Sequence, residues 1–372
     1  MKIAIWGLGT IGGSVEILLR GRSDMSVKRI FTRHAPAGFA ALDSSREAIL
    51  QDPEIDTVVE TLGGVEPAHT WLCEALRAGK NVVTANKAVV AAHYRELAEL
   101  AAEQGAAFRF TAAVGGGVPW LPNLESLKSA DPVDALGGIM NATCNLIISR
   151  MIRNGLSFAD ALAAAQEEGY AERDPSADID GLDARRKLLI SANTAFDCVL
   201  PEERIPVFGI RHLQPEDLKA AAEMGCTVRL SNRAFRTKDG RIRLLTAPAF
   251  VPMTDPEAAV WNSGCRIWCR GVRGGLYSFG GVASGPLTTA LSVVRDLRDI
   301  AEKAPEKPVF YQKEFTPAVP DDRGWLTRWY VRDAAGSRVT DPRDTAEFTQ
   351  ALTARLAAGE AVFAALIGET DL

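Results

Sequence analysis

Residues 2–21 read "KIAIWGLGTIGGSVEILLRG". A short apolar run breaks into a glycine-rich turn, and from Thr10 onward apolar side chains recur at helical spacing. The order is strand, glycine turn, helix. Within the turn, Gly7, Gly9 and Gly12 stand in the Gly-x-Gly-x-x-Gly spacing. At such a junction Gly7 makes the tight turn, Gly9 lets a pyrophosphate approach the backbone, and Gly12 permits close helix–strand packing. Phosphate then sits on the N–H groups at the helix start, around Thr10 and Ile11. The plain alternative is a tight turn without a ligand.

Outward from this unit the pattern repeats. Strands are predicted at 27–32, "VKRIFT", at 56–62, "DTVVETL", and at 81–85, "NVVTA". Helical stretches follow the last two, "PAHTWLCEALRAG" and "AHYRELAELAAEQG", each closed by a glycine. Strands alternating with helices across short loops predict an α/β doubly wound parallel sheet. After residue 130 the character changes. A strand, "DALGGIMNAT", precedes three helices, "NLIISRMIRNG", "SFADALAAAQEEG" (with Ser157 or Asp160 near its start) and "DARRKLLISANTAF". Beyond 225 come strand-like runs and the helix "LTTALSVVRDLRDIAEK", a pattern that predicts an α+β second domain. "APEKPVFYQKEFTPAVPDD" reads as a linker, and 325–372 as a strand–helix–strand tail.

At the end of the second strand a site for NAD usually carries an acid that accepts from the ribose 2′-OH. This chain has Thr32-Arg33-His34 there and no acid. A guanidinium at Arg33 pairs with a 2′-phosphate, so the residues favour NADP, with NAD the alternative. The bland reading of Arg33 is a solvent-facing loop cation.

The net charge of −5 gives no basic footprint, which argues against nucleic acid or an anionic membrane as partner. No apolar run reaches the ~18 residues of a membrane span, and no signal peptide precedes the first strand, so a cytoplasmic location is expected. The six cysteines are scattered, and the closest pair, Cys265 and Cys269, lacks a zinc-knuckle spacing. All read as reduced thiols. His34, His69, His93 and His212 lie far apart without local metal spacing and receive no role.

The stretch "GYAERDPSADIDGLDARRK", 169–187, gathers Glu172, Asp174, Asp178, Asp180 and Asp183 ahead of Lys187. Asp183 and Lys187 are four apart, so on a helix they project only ~40° apart and can touch. From spacing alone they read as an exposed ion pair contributing ~0.3–0.5 kcal/mol. The other reading is a pocket for a small cationic substrate beside a proton-donating amine.

"VVETLGGVEPAHTWLCEALRAGKNVVTANKAVVA" (58–91), "AAVGGGVP" (112–119), "NATCNLIISRM" (141–151), the acid–lysine stretch and, more weakly, "GPLTTALSVVRDL" (285–297) follow one another as in the homoserine dehydrogenases. The chain resembles that family over roughly residues 1–300. The resemblance implies NAD(P)-linked interconversion of L-homoserine and L-aspartate β-semialdehyde in amino-acid biosynthesis. Lys187 matches the family's catalytic lysine, with Asp183 to orient it, and Lys87 matches a second lysine beside nicotinamide and substrate. Glu172 and Asp178 match positions that bind the substrate's α-ammonium, and Tyr170 and Thr143 match substrate contacts, though either equally suits packing. Thr61, Leu62, Gly63, Thr84, Lys87 and Gly285 fall where the family contacts its dinucleotide, with the glycine turn. Carbonyls of Val114, Gly116 and Val118 match a monovalent-cation site. Asp174 and Asp180 have no such match and read as turn and capping residues. The implied organisation is a dinucleotide domain, 1–130, then a substrate and dimerisation domain, 131–302, whose last helix returns to the first, then the linker and tail, 303–372. A homodimer is expected, because the family pairs through the second domain.

Four departures stand out. Thr111 replaces the glutamate that serves the cation site, which removes its charge. The family's "GTTN" is Ala142-Thr143-Cys144-Asn145, and its "GPGAGG" loop is "GGVASG", 280–285, where Val282 and Ser284 restrict the backbone. The tail is shorter than the regulatory domain many members carry, so feedback inhibition by an amino acid is not expected. These changes fall on the substrate side. They leave two alternatives open: an oxidoreductase acting on another small amino-acid aldehyde or alcohol, and an inactive dinucleotide-binding relative.

Overall fold

The first strand, β1 (Lys2–Trp6), is buried at every position except Lys2, as a central strand covered on both faces must be. It belongs to a computed structural model that describes residues 1–32, 45–302 and 316–369. Arg33 and most of the expected linker lie outside the described residues. Chain contacts separate two units: the described residues of 1–130, 193–199 and 282–316, and those of 131–192, 200–281 and 317–372.

In the first unit, β1 leads into α1 (Thr10–Leu19), β2 (Ser26–Phe31), α2 (Arg46–Gln51), β3 (Thr57–Glu60), α3 (Ala68–Arg77), β4 (Asn81–Thr84), α4 (Lys87–Glu103), β5 (Phe108–Arg109) and α5 (Trp120–Ala130). The strands form one parallel sheet in the order β2-β1-β3-β4-β5. The helix starts are chemically marked: Ser45 accepts from the N–H of Ala48, and Asn86 from that of Val89. Gly79, at φ +72°, ends α3 in the left-handed conformation.

The second unit is built on β6 (Val133–Ile139), α6 (Ala142–Asn154), α7 (Phe158–Glu167), α8 (Ser176–Ile179), most of α9 (Leu182–Phe196), α10 (Pro215–Glu223), β7 (Cys226–Arg236), β8 (Ile242–Pro252), β9 (Gly264–Gly271) and β10 (Gly275–Val282). Ser157 caps α7 by accepting from the N–H of Asp160, so of the two candidates the serine is the cap. The chain then contributes α11 (Pro286–Ala301) to the first unit, where Ala290, Val293 and Leu297 join Ile3, Val15, Leu19 and Val59 in one apolar core.

The tail differs from the separate piece expected. Its strands β11 (Leu326–Asp333) and β12 (Phe363–Glu369) pair antiparallel, and β12 joins β8 in the second unit's nine-stranded sheet. The reason is burial: Trp325 and Trp329 are fully enclosed and pack with Phe235, Leu245 and Ala249 of that sheet. Detaching them would expose the two largest apolar side chains of the tail.

Candidate active site

Two groups of functional side chains come together, one in each unit. The first is a cradle at the carboxyl ends of β1, β3 and β4, where open parallel sheets hold ligands. Gly7 sits at φ +93°, and a Cβ on Gly12 would lie 2.0 Å from the Gly7 carbonyl oxygen and 2.6 Å from Thr61 Oγ1. Only glycine fits either place. Gly9 is exposed with nothing within 4 Å of where its Cβ would be, so its backbone is open to a bulky group. No side chain caps α1 and no acid stands in its first turn. Its N–H groups at Thr10, Ile11 and Gly12 therefore suit a pyrophosphate, and the residues present fit a dinucleotide.

Thr61 Oγ1 donates to the Gly7 carbonyl at 2.8 Å and so locks the glycine turn to the end of β3. Leu62 and the exposed Gly63 follow it around the rim. Their positions depend on Glu60, a residue the sequence reading missed. Glu60 is fully buried; it accepts from the N–H of Leu62 at 2.6 Å, from the Thr84 hydroxyl and, at 3.5 Å, from the Asn86 amide. Asn86 also donates to the Gly64 carbonyl at 2.6 Å. One buried carboxyl thus binds the end of β3 to the end of β4, and Lys87 is the next residue, first in α4. Burial raises the Glu60 pKa above the ordinary carboxylate range. A lone glutamate at the end of an apolar strand is the only signal the sequence carries for this role.

Gly285, at φ +114°, occupies the cap position before α11. In the 114–118 loop the Gly116 carbonyl accepts from Ser292 Oγ at 2.5 Å and the Val118 carbonyl from the N–H of Trp120 at 2.7 Å. Thr111 gives its hydroxyl and N–H to Asp296, at 2.6 and 2.9 Å. With two of three carbonyls engaged and no charge among Thr111, Val114, Gly116 and Val118, the residues present fit a cation poorly, and no catalytic step is assigned to one.

The second group lies around the start of α9. Lys187 Nζ is 2.7 Å from Asp183 Oδ2 and donates to the Met140 carbonyl at 2.9 Å. The side chains are 13% and 11% exposed, which rules out the exposed surface pair that spacing alone suggested. Asn141, also missed, divides its amide between Asp178 Oδ1 at 2.6 Å and Asp183 Oδ2 at 2.8 Å, while its own oxygen caps α6 through the N–H of Cys144. The remaining acids go elsewhere. Asp174 makes a turn with Ser176, as expected, and Asp180 forms a two-bond pair with Arg211. Glu172 and Tyr170 are exposed on the segment between α7 and α8. Thr143 donates its hydroxyl to the Tyr170 carbonyl at 3.1 Å and so holds that segment.

The chain is similar in sequence and fold to known proteins. The family described as "Homoserine dehydrogenase, NAD binding domain" matches residues 7–111, and "Homoserine dehydrogenase" matches residues 119–297. A homoserine dehydrogenase of Synechocystis is 36% identical over 323 residues, 81% of this chain and 73% of its own. That of Bacillus subtilis is 34% identical over 313 residues, 80% of this chain and 72% of its own. The solved homoserine dehydrogenase of Thiobacillus denitrificans superposes with a TM-score of 0.86 at 29% identity, covering 99% of this chain and 98% of its own.

The doubly wound unit with its glycine cradle, and the match to the family's NAD-binding domain, define an oxidoreductase that uses a nicotinamide dinucleotide. Its chemistry is that of a CH–OH group. The chain belongs to the homoserine dehydrogenase family.

Proposed function

We propose that this chain interconverts L-homoserine and L-aspartate β-semialdehyde, with Lys187 as the proton donor to the carbonyl oxygen. The observation that carries this is the enclosed amine of Lys187, held 2.7 Å from Asp183 and 2.9 Å from the Met140 carbonyl. When bound, the reduced nicotinamide supplies the hydride that the aldehyde carbon takes up. The oxygen then needs a proton, and an ammonium with a fixed direction both gives it and stabilises the developing charge. Asp183 sets that direction. Asp178 and Glu172 suit the substrate's α-ammonium as carboxylates, and Asn141 keeps Asp178 beside Asp183. Lys87 is assigned a place beside nicotinamide and substrate.

NADP is the proposed cofactor, on the strength of Arg33 and the missing acid at 32–34. A homodimer through the second unit is also proposed. Its support is β10, an edge strand that exposes Leu276 and Val282 at 61% and 58%. A cytoplasmic setting agrees with six cysteines that form no disulfide; no helix among the described residues is long and apolar enough to cross a membrane.

Initial rates at the reduced-nicotinamide absorbance test the reading, with homoserine first and then a panel of related amino alcohols. Turnover of homoserine is expected, with a lower KM for NADP than for NAD and loss of that preference in Arg33→Ala. Activity on an analogue alone would transfer the assignment to another amino alcohol. Dinucleotide binding without turnover would leave only a binding protein.

A further inference from the structure

Two of the chain's four histidines meet between α3 and α4. His69 on α3 and His93 on α4 stack face to face, with ring centroids 3.6 Å apart and planes 12° from parallel. One turn along α3, Cys73 Sγ lies 3.5 Å from His69 Nε2. Glu96 of α4 reaches both groups, with Oε2 2.9 Å from His69 Nε2 and Oε1 3.9 Å from Cys73 Sγ. His93 Nδ1 is 3.3 Å from Glu96 Oε2. Ligand atoms of His69, Cys73 and Glu96 all fall within 4.8 Å of one another.

A sulfur and a carboxylate thus converge on one imidazole nitrogen, which carries either a single hydrogen or a single lone pair. A hydrogen on Nε2 serves the carboxylate and leaves the thiol only the long 3.9 Å contact to Glu96 Oε1 as a hydrogen bond. A cation at the centre satisfies all three groups. Zinc bonds of about 2.3 Å to sulfur and about 2.0–2.1 Å to nitrogen or oxygen, at tetrahedral angles, put ligand atoms about 3.3–3.6 Å apart. The 3.5 Å from Cys73 Sγ to His69 Nε2 meets this, while the half-exposed Glu96 carboxylate, 2.9 Å from Nε2 and 3.9 Å from Sγ, has to shift to complete it. The other ring nitrogen is already oriented. His69 Nδ1 is 3.1 Å from Glu66 Oε1, and Glu66 Oε2 is held by the Thr70 hydroxyl at 2.9 Å. Carboxylate on one side and metal on the other is the usual arrangement of a zinc-bound imidazole. Entry is open, since the Glu96 side chain is 52% exposed while Cys73 is buried.

We propose that His69, Cys73 and Glu96 bind a zinc-class divalent ion, with water as fourth ligand and Glu66 as the orienting carboxylate. The ion would join α3 to α4 near the point where α4 bends at His93 (φ −130°, ψ 21°), and so stiffen the helix whose first residue is Lys87. The site is independent of the substrate assignment.

Titration of the chelator-treated full chain with Co²⁺ tests this by absorbance, followed by competition with Zn²⁺. A thiolate-to-cobalt charge-transfer band with one ion per chain is expected, together with a rise in melting temperature on adding Zn²⁺. Cys73→Ala and His69→Gln should each abolish the band and the rise. Glu66→Gln should keep the band and weaken binding by roughly 10–100-fold. Absence of the band in the native chain, or its survival in both ligand variants, would overturn the proposal and leave a hydrogen-bonded cluster.

Discussion

Lys187 Nζ stands 2.7 Å from Asp183 Oδ2, one helical turn earlier, and both side chains are close to 90% enclosed. A pair so placed is not surface decoration. Taking two charges out of water is costly, and an uncompensated remnant is worse than the intact pair, by about 3–5 kcal/mol in typical cases. The cost makes sense where a directed amine is needed.

Lys187→Ala should therefore lower kcat by about 10²–10⁴-fold, the usual worth of a positioned acid, while dinucleotide binding measured by fluorescence stays within a factor of a few. Residual activity near the native level would remove Lys187 from the mechanism. Asp183→Asn keeps the shape and should reduce kcat less than the lysine variant does.

Asn141 has two separable duties. Asn141→Ala loses the cap of α6, at a cost of about 1 kcal/mol, and releases Asp178 and Asp183 from their common amide. Asn141→Ser restores a capping oxygen without the bridge. Kinetics and thermal unfolding of both should show stability recovered in the serine variant and kcat/KM for substrate still reduced by about 10–100-fold, the usual worth of hydrogen bonds to charged groups. Recovery of both would mean that Asn141 acts through the helix alone.

Glu60→Ala removes the acceptor shared by Leu62, Thr84 and Asn86. Each buried donor left behind costs about 1–3 kcal/mol, so the strand ends should loosen. The expected outcome is a KM for dinucleotide raised about 10-fold or more with a smaller change in KM for substrate. An equal change in both would argue against a role confined to the cradle.

Asp296 gives a pH signature. It is buried beneath Thr111, and burial pushes its carboxyl up to about 7 from an ordinary value of 3.8. Between those two values the folded chain holds a proton that the unfolded chain has lost. The stability this contributes is full below the lower value and is lost as pH rises through the upper one. Asp296→Asn has no proton to lose. The melting temperature of the variant relative to the native chain should rise as pH goes from 5 to 8; a constant difference would show that Asp296 does not titrate there.

What could be read from the chain alone follows local rules. Gly7 and Gly12 are legible because close backbone approach excludes a Cβ, as the 2.0 Å contact at Gly12 shows, and Gly9 by its spacing between them. Asp183 and Lys187 are legible as a pair because helical period brings every fourth residue to one face. Their enclosure was not, since burial depends on what packs over the helix. Nor could the row of acids be sorted by spacing: Asp178 turns to Asn141, 37 residues away, while Asp180 turns to Arg211. Glu60 tying β3 to β4, the tail strand entering a sheet begun near residue 133, and the meeting of His69 with His93 are likewise contacts across long separations. Such contacts are chosen by which apolar faces bury together, and only the assembled chain makes that choice.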